Sequence, residues 1–376
     1  MSAKRTVTAL CALFAFGAAR AENGISASEV VIGQSASLSG GAAEVGQQAR
    51  DGALAYFEML NRKGGVNGRK IRLASLDDGG QTKRGEENTL RLINEEKVFL
   101  LFGYTGRNTS EAALPIVDKA GVPFFGAATG GEAIHGKFNR NVINVRASYK
   151  RETEVMVEYL VTIGQKRVGM IYHKDDTTKS NLKMTEDALG IHGLKVAGSA
   201  SVDRNSSEVG EAVGVMSELQ AEAVICNAAV KPLGAFIRGL RKTGQRPQFL
   251  SVSFVGSPIV KELGAEVEGL IMAQVVPLPT KKGMPIVAEY HAALAATGSK
   301  ASPSFNSLEG YIAAKVFAEA LRRTGRDVSR AKFVKAVEGI TELDLGGYIV
   351  GYSPTNHNGS RYVDITIINR DGRFFD

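Results

Sequence analysis

The sequence predicts an α/β fold with two domains, each built on a parallel sheet. Three observations lead to this prediction. Short β-rich runs alternate with longer amphipathic runs, the alternation restarts after Arg151, and the 376 residues, 44% of them hydrophobic, suffice for two ordinary domains. Strands and helices in alternation form βαβ units, whose helices cover the faces of a parallel sheet.

The N-terminus is predicted to be a secretory signal peptide. Lys4 and Arg5 precede the apolar run TVTALCALFAFGAA, and Ala19–Ala21 read Ala-Arg-Ala, a cleavage motif. We therefore expect cleavage after Ala21 and a periplasmic protein. A signal anchor is less favoured because no stop-transfer pattern follows. A lipid anchor at Cys11 is less favoured because the apolar run continues past it.

Charge and cysteine content exclude several classes of function. Residues 1–21 carry three basic residues and no acid, so their removal lowers the formal charge from +7 to +4. This charge is spread along the chain without a basic block, which argues against nucleic acid as a partner. The remaining cysteine, Cys226, lies in the apolar run AVICNAA, where a lone thiol is typically a small buried hydrophobe.

The elements of the first domain begin with a strand at Glu29–Ala36. A helix follows, with Ala53, Phe57 and Leu60 at helical spacing, and Asn67-Gly68 then marks a turn. Strands and helices alternate further at residues 70–80, 84–97, 98–104, 109–121, 122–129 and 140–148.

The second series starts with a helix at residues 152–164. Strands and helices then alternate at residues 166–173, 181–193, 194–202, 208–220, 221–229 and 232–244. The C-terminal part returns to helix at residues 306–325 and 330–340, and ends in β-type runs at 347–354 and 361–375.

Ligands of open α/β sheets bind at the carboxyl ends of the strands. Turns rich in Gly, Ser and Thr at these ends can direct backbone N–H groups and hydroxyls toward a ligand. The turns expected to line a site are Ser37–Val45, Asp77–Gln81, Gly103–Asn108, Gly126–Gly131, His173–Lys179, Asn227–Pro232 and Ser253–Ser257.

No motif for catalysis or metal binding is present in the sequence. It lacks G-x-S-x-G, a Walker lysine motif and H-E-x-x-H, and its five histidines are expected to be surface or loop residues. The run Asp77–Gly80 is interpreted as turn chemistry. We expect no metal, no cofactor and no enzyme activity. A DNA-binding regulator would need a helix-turn-helix where the signal peptide stands.

The segment VVIGQSASLSGGAAEVGQQARDGALAYFEMLNRKGGVNGRKIRL resembles the opening of the branched-chain amino acid (leucine/isoleucine/valine) binding proteins. The motifs DDG, GYTGRNTSEAALP, VPFFGAATG, NVRASY and LGGYIVGYSPTNHNGS recur in the expected order, over essentially the whole mature chain. These proteins are periplasmic solute receptors of ABC importers with the type I periplasmic-binding fold. The resemblance implies a small-molecule ligand and a cognate inner-membrane permease as partners, and we expect a monomer.

The resemblance also implies two Rossmann-like lobes, joined by three crossover strands and closing on the solute by a hinge. The crossovers are predicted near Val145–Ser148, Gln274–Pro277 and Gly346–Val350. The first lobe then comprises residues 22–146 and 277–347, and the second lobe residues 147–276 and 348–376. A soluble ligand sensor of the same fold, feeding a signalling partner, is the alternative.

The resemblance places the groups that hold the solute carboxylate on the turn Gly103–Asn108 and on Ala128 and Thr129. Arg107 stands where the amino-acid binders have Ser or Thr, and its planar fork suits a carboxylate. Ser253 stands at the position of the ammonium-binding acid. A second acidic position corresponds to Lys150 or Arg151, and aromatic positions to Thr177 and Ala229.

These departures predict an organic acid, aromatic or dicarboxylic, rather than a plain branched-chain amino acid. An ammonium buried without an acidic partner is costly. The predicted ligand-binding residues are Tyr104, Thr105, Arg107, Asn108, Ala128, Thr129, Tyr149, Thr177, Ala229 and Phe254.

Several of these residues have a structural alternative. Arg107 could instead pair with Glu111 at i,i+4, and Tyr104 could be core packing. Tyr149 could brace the hinge, and Phe254 could pack within its own lobe. The run from Lys150 through Glu154, which includes Arg151 and Glu152, is interpreted as a surface ion network.

Overall fold

The structure of the protein, a computed structural model, describes residues 22–175, 178–298 and 302–376. The predicted signal peptide lies outside these ranges. Within them, no helix combines the length and the apolar character needed to cross a membrane. The strands are β1 (Glu29–Ala36), β2 (Lys70–Asp77), β3 (Leu101–Phe102), β4 (Phe124–Phe125), β5 (Val142–Ile143), β6 (Val168–His173), β7 (Gly198–Val202), β8 (Ala223–Asn227), β9 (Gln248–Ser251), β10 (Ile271–Gln274), β11 (Leu343–Asp344), β12 (Ile349–Val350), β13 (Asp364–Ile368) and β14 (Phe374–Phe375).

The helices follow the predicted alternation. They are α1 (Ala43–Arg62), α2 (Thr82–Asn94), α3 (Arg107–Ala120), α4 (Glu132–His135), α5 (Tyr149–Thr162), α6 (Thr178–Ile191), α7 (Gly210–Leu219), α8 (Val230–Lys242), α9 (Pro258–Leu263), α10 (Pro285–Thr297), α11 (Phe305–Thr324) and α12 (Arg330–Glu338). Short 3-10 turns lie at Ser253–Val255 and Gly264–Val267.

The first lobe is built on a parallel sheet in the order β2-β1-β3-β4-β5. Strands β3, β4 and β5 are only two residues long, shorter than the runs that the sequence predicts there. Two of them end at glycines with positive φ, 61° at Gly103 and 63° at Gly126, a conformation that glycine adopts without strain. Because the strands run in parallel, the turns after β1, β2 and β3 meet at one edge of the sheet.

Helices α1 and α11 pack closely because each has a glycine where the two helices touch. A Cβ added at Gly52 would lie 1.8 Å from the carbonyl oxygen of Ser307, and one added at Gly310 would lie 1.9 Å from that of Ala49. No side chain fits at these distances, so the two backbones meet directly. The core beside this contact buries the rings of Phe57, Phe102, Phe125, Phe317 and Phe333.

The second lobe is built on a sheet in the order β14-β13-β10-β9-β8-β6-β7. The strands from β10 to β7 pair in parallel, whereas β13 and β14 are antiparallel additions at one edge. Cys226 lies in β8 and is fully buried, as the sequence predicts. Burial raises the pKa of its thiol, so this side chain is a neutral apolar group.

Two of the three connections between the lobes follow β5 and β10. The chain leaves the first sheet after β5 and enters α5 of the second lobe through residues 144–148. It returns after β10 through residues 275–277 and reaches α10, which packs on α1 of the first lobe.

The third connection comes later than predicted. Tyr348, Val350 and Tyr352 are buried in the core of the first lobe, and the Tyr352 N–H donates to the carbonyl oxygen of Ile340 beyond α12. The chain crosses only after Gly359, whose N–H donates to the carbonyl oxygen of Asn144 at 2.9 Å. The assignment of residues from 348 onward to the second lobe is therefore wrong up to this point.

The glycine contact between α1 and α11 predicts that one added methyl group strongly destabilises the folded protein. Gly310→Ala should lower the free energy of unfolding by about 3 kcal/mol, because the backbones must separate to admit it. Gly214→Ala in α7 is the matched control, since a Cβ there meets no atom within 4 Å. The control should raise stability by about 0.5–1 kcal/mol. Urea denaturation measures both values, and similar values for the two variants would contradict the prediction.

Candidate functional site

A cavity of about 120 Å³ lies between the two lobes, at the carboxyl ends of their strands. From the first lobe it is lined by Ser37, Ala42, Val45, Gly80, Thr105, Gly106, Arg107, Asn108 and Thr109. From the second lobe it is lined by Tyr149, His173, Asn181, Arg204, Asn227, Ala228 and Phe254. Every turn that the sequence predicts at the site contributes a residue, except Gly126–Gly131.

Three helices begin at this cavity without a side-chain cap. The residues before α1, α3 and α8 are Ala42, Gly106 and Ala229, which have no side-chain acceptor for the first N–H groups of the helix. The N-terminus of a helix carries a partial positive charge and N–H groups that need acceptors. The walls of the cavity therefore favour an anion.

The turn that begins α3 is fastened to the end of β1. The Ser37 N–H donates to Thr105 Oγ1 at 3.0 Å, and the Thr109 hydroxyl donates to the Thr105 carbonyl oxygen at 2.8 Å. Gly106 has φ of 88°, which is strained for residues with a side chain. This turn accordingly holds its shape before any ligand arrives.

Arg107 lines the cavity and also connects the lobes. Its Nε donates to Glu111 Oε1 at 2.7 Å, which is the i,i+4 pair considered from the sequence. Its Nη1 donates to Asn181 Oδ1 and its Nη2 to Ser180 Oγ, both at 3.0 Å, on α6 of the second lobe. With 13% of its side chain exposed, Arg107 thus forms the pair with Glu111 and also lines the cavity.

The second lobe also brings a cationic side chain to the cavity. Arg204, in the segment after β7, donates from Nη2 to Asp175 Oδ2 at 2.6 Å. Burial, followed by the nearby Arg204, lowers the pKa of His173 to about 4, so its ring is neutral at pH 7. Among the described residues that line the cavity, none is Asp or Glu.

Asp77 and Asp78 organise the turns around the cavity. Asp78 accepts hydrogen bonds from the hydroxyls of Ser35 and Ser37 and from the Gly80 N–H. Asp77 accepts from the Ser39 hydroxyl, which holds its pKa down at about 2. The sequence interpretation as turn chemistry agrees with these bonds. Within the described ranges, no cluster of side chains has the composition of a metal site.

A buried ion cluster lies at the first crossover. Arg146 is 3% exposed and donates from Nη1 to Glu309 Oε1 of the first lobe at 3.4 Å. Its Nη2 donates to Ser253 Oγ at 2.7 Å and also to Glu152, both in the second lobe. Glu152 in turn accepts from the Ser253 N–H at 2.7 Å and from its hydroxyl at 2.9 Å. One arginine thus joins the lobes at the first crossover.

This cluster corrects the interpretation of residues 150–154 as a surface ion network. Arg151 does form such pairs, with Glu154 and Glu158 at 3.1 Å each. Glu152 is instead fully buried, because it lies on the opposite face of α5, toward Arg146. An acid therefore does stand beside Ser253, where the resemblance indicated none, but its charge is opposed by Arg146.

Five of the predicted ligand-binding residues line the cavity: Thr105, Arg107, Asn108, Tyr149 and Phe254. Tyr104 does not, because its ring is fully buried against Phe124, with centroids 4.9 Å apart, and its hydroxyl bonds to Thr89. Ala128 does not either, and its N–H donates to the Tyr104 carbonyl oxygen at 2.8 Å. That N–H already has an acceptor and is not placed to bind a carboxylate.

The remaining predicted residues lie behind the cavity wall or outside the described ranges. Thr129 is fully buried, and its hydroxyl oxygen accepts a hydrogen bond from the Gly131 N–H at 3.4 Å. The Ala229 N–H donates to Nε2 of His173 at 2.9 Å. Thr177 falls outside the described residues.

The residues that the sequence analysis missed are mainly polar residues of the second lobe. Asn181 and Arg204 line the cavity outside every predicted turn. His173 lies in a predicted turn but was not among the predicted ligand-binding residues, because the histidines were expected to be surface or loop residues. His135 and His357 are buried as well. The position of His173 at the end of a predicted strand was a usable signal. Arg204 carried none, because it follows a strand without a recognisable binding turn.

The chain is similar to known proteins along most of its length. Residues 29–373 match the family model described as periplasmic binding protein. A possible leucine/isoleucine/valine-binding protein from Rhodopirellula baltica is 31% identical with a TM-score of 0.87, over 95% of this chain and 98% of that one. A substrate-binding periplasmic protein from Ralstonia solanacearum is 32% identical with a TM-score of 0.85, over 92% and 99%.

A curated relative, an amino acid binding protein from Pseudomonas aeruginosa, is similar over a shorter region. It is 24% identical over 224 residues, which are 59% of this chain. The alignment spans 60% of the length of that relative.

The buried cluster predicts that stability depends on pH. Burial raises the pKa of Glu152 to about 7, although Arg146 and Ser253 oppose the shift. A pKa raised in the folded state means that the folded protein binds the proton more tightly, so this stabilisation is complete in acid and lost as pH rises through about 7. The free energy of unfolding should fall by roughly 2 kcal/mol from about pH 5 to about pH 8.

Glu152→Gln should flatten this dependence, because glutamine does not titrate. Glu158→Gln, on the exposed face of α5, is the control and should keep the wild-type slope. The other charged and titratable groups that face Glu152 are Arg146, Glu309 and Tyr149, and both variants retain them. Chemical denaturation at several pH values gives the slope of the free energy of unfolding against pH. A wild-type slope in Glu152→Gln would refute the assignment of this pH dependence to Glu152.

Proposed function

The chain belongs to the periplasmic binding protein family, and on this premise we propose that it is the substrate-binding component of an ABC importer. In this proposal it captures a small solute bearing a carboxylate in the cavity between its lobes. It is exported to the periplasm, acts as a monomer, and delivers the solute to a permease of the inner membrane.

One observation carries the assignment of the solute class. The uncapped N-termini of α1, α3 and α8 meet at the cavity together with Arg107 and Arg204, and no described lining residue is acidic. Glu111 and Asp175 balance the two arginines in part, but neither lines the cavity. A carboxylate supplies the acceptors that these donors lack.

The names of the relatives are consistent with a solute that bears a carboxylate, but they do not distinguish amino acids from other organic acids. One is named as a possible leucine/isoleucine/valine-binding protein and another as an amino acid binding protein. Amino acids and other organic acids share the carboxylate. An ammonium group would need an acidic partner in the cavity. Glu152, the buried acid beside Ser253, already accepts a hydrogen bond from Arg146.

Contacts between the lobes support capture by hinge closure. Arg107 of the first lobe donates to Ser180 and Asn181 of the second. At the surface, Lys261 Nζ lies 2.8 Å from Glu44 Oε1 across the lobes. These bonds form only when the lobes approach each other, so they favour the closed state once a solute fills the cavity.

Calorimetric titration of the mature protein with carboxylates and their amides tests the proposal. We expect binding of at least one carboxylate among leucine, benzoate and succinate, and none of the corresponding amides. Arg107→Gln should lower the affinity for the carboxylate about 10- to 100-fold, as expected for the loss of a charged hydrogen-bond donor.

Arg72→Gln is the matched control for this experiment. Arg72 pairs with Glu29 at the exposed edge of the first sheet, where an ion pair contributes little, so affinity should stay unchanged. Binding of sugars or diamines in place of every carboxylate would refute the proposed function.

A further inference from the structure

We propose that Arg204 determines specificity by holding a second acidic group of the solute, so that the preferred ligands are short dicarboxylates. The inference rests on the proposed function. The observation behind it is that each lobe contributes one arginine to the cavity lining, Arg107 from the first lobe and Arg204 from the second.

Both guanidiniums retain donors for a ligand. A guanidinium has five N–H groups. Arg107 uses one from each nitrogen, toward Glu111, Asn181 and Ser180. The bond of Arg204 to Asp175 involves Nη2. The two partner acids do not line the cavity, so each orients its arginine without occupying the space of the solute.

The rest of the second-lobe wall adds donors but no further charge. His173 is neutral because burial lowers its pKa to about 4, and its Nε2 accepts the Ala229 N–H. Asn227 and Ala228 lie where α8 begins without a side-chain cap. Arg204 is thus the cationic side chain that the described part of the second lobe presents to the cavity.

A solute with a single carboxylate would leave the donors of Arg204, in the second-lobe wall, without an acceptor. When the first carboxylate lies against α3 and Arg107, the rest of a solute that fills the cavity displaces water from the Arg204 side chain, 35% of which is exposed. A neutral tail returns no hydrogen bonds for this loss, and a buried donor without an acceptor costs free energy. A second carboxylate matches the planar fork of Arg204.

The remaining lining fits the carbon skeleton between two such groups. Val45 and Ala42 from the first lobe, and Tyr149 and Phe254 from the second, provide apolar and aromatic surface. A cavity of about 120 Å³ restricts the solute to a short chain or a single ring. A zwitterionic amino acid would instead place its ammonium group in a cavity with two arginines.

Calorimetric titration of the mature protein tests this inference with matched pairs of acids. Succinate and glutarate are compared with butyrate and valerate, terephthalate with benzoate, and leucine is included. In the wild type, the preferred dicarboxylate should bind at least about tenfold more tightly than its monocarboxylate partner. Arg204→Gln should reduce this difference to less than about threefold, because only the dicarboxylate loses the partner of its second carboxylate.

Two further variants distinguish a specific effect of Arg204 on binding from a general effect of substitution on folding. Arg204→Lys retains the charge without the fork, and should restore part of the preference for the dicarboxylate. Arg370→Gln, at an exposed turn after β13, should leave every affinity unchanged. Retained binding of the monocarboxylate shows that Arg204→Gln is folded.

The outcomes separate this inference from the proposed function. Equal affinity for the members of each pair, tight binding of leucine alone, or equal weakening of both members by Arg204→Gln would overturn the inference and leave capture of a carboxylate standing. Failure of every carboxylate to bind would overturn both.

Discussion

The arrangement of the two lobes depends on one buried arginine. Arg146 lies in the first crossover and contacts Glu309 of one lobe and Glu152 and Ser253 of the other. A buried guanidinium without partners would be strongly destabilising, and a buried ion pair is favourable only when its hydrogen bonds are satisfied. The requirement to satisfy Arg146 therefore fixes α5, α11 and the turn at Ser253 relative to one another, next to the cavity.

This constraint also shapes the chemistry of the cavity. Because Arg146 and Ser253 engage Glu152, that carboxylate is not presented to a solute, although it lies just beyond the second-lobe wall. The polar groups that do line the cavity are mainly donors: helix N-termini, Arg107 and Arg204. The charges at the first crossover and those that line the cavity are thus kept apart, and no described residue that lines the cavity is acidic.

Much of the fold could be predicted from the sequence, and five of the ten predicted ligand-binding residues line the cavity. The order of strands and helices could be predicted because it depends on the local spacing of apolar residues, and the structure has these elements in the predicted order. Arg107 and Phe254 were found because turns at the ends of parallel strands converge. The sequence could not indicate that Tyr104 faces the core or that Glu152 faces Arg146, since these depend on how elements distant in the chain pack. The late third crossover was missed for the same reason, because Tyr348 and Tyr352 are buried in a core that elements distant in the chain build together.

The direct backbone contact between α1 and α11 has a consequence for the thermodynamics of binding. The first turn of α1 forms part of the cavity wall, and Gly52 and Gly310 hold the same helix against its neighbour with no side chain between them. That wall is preorganised, so it loses little conformational entropy when a solute arrives. The ordering cost of binding falls instead on the side chains that the second lobe contributes to the cavity.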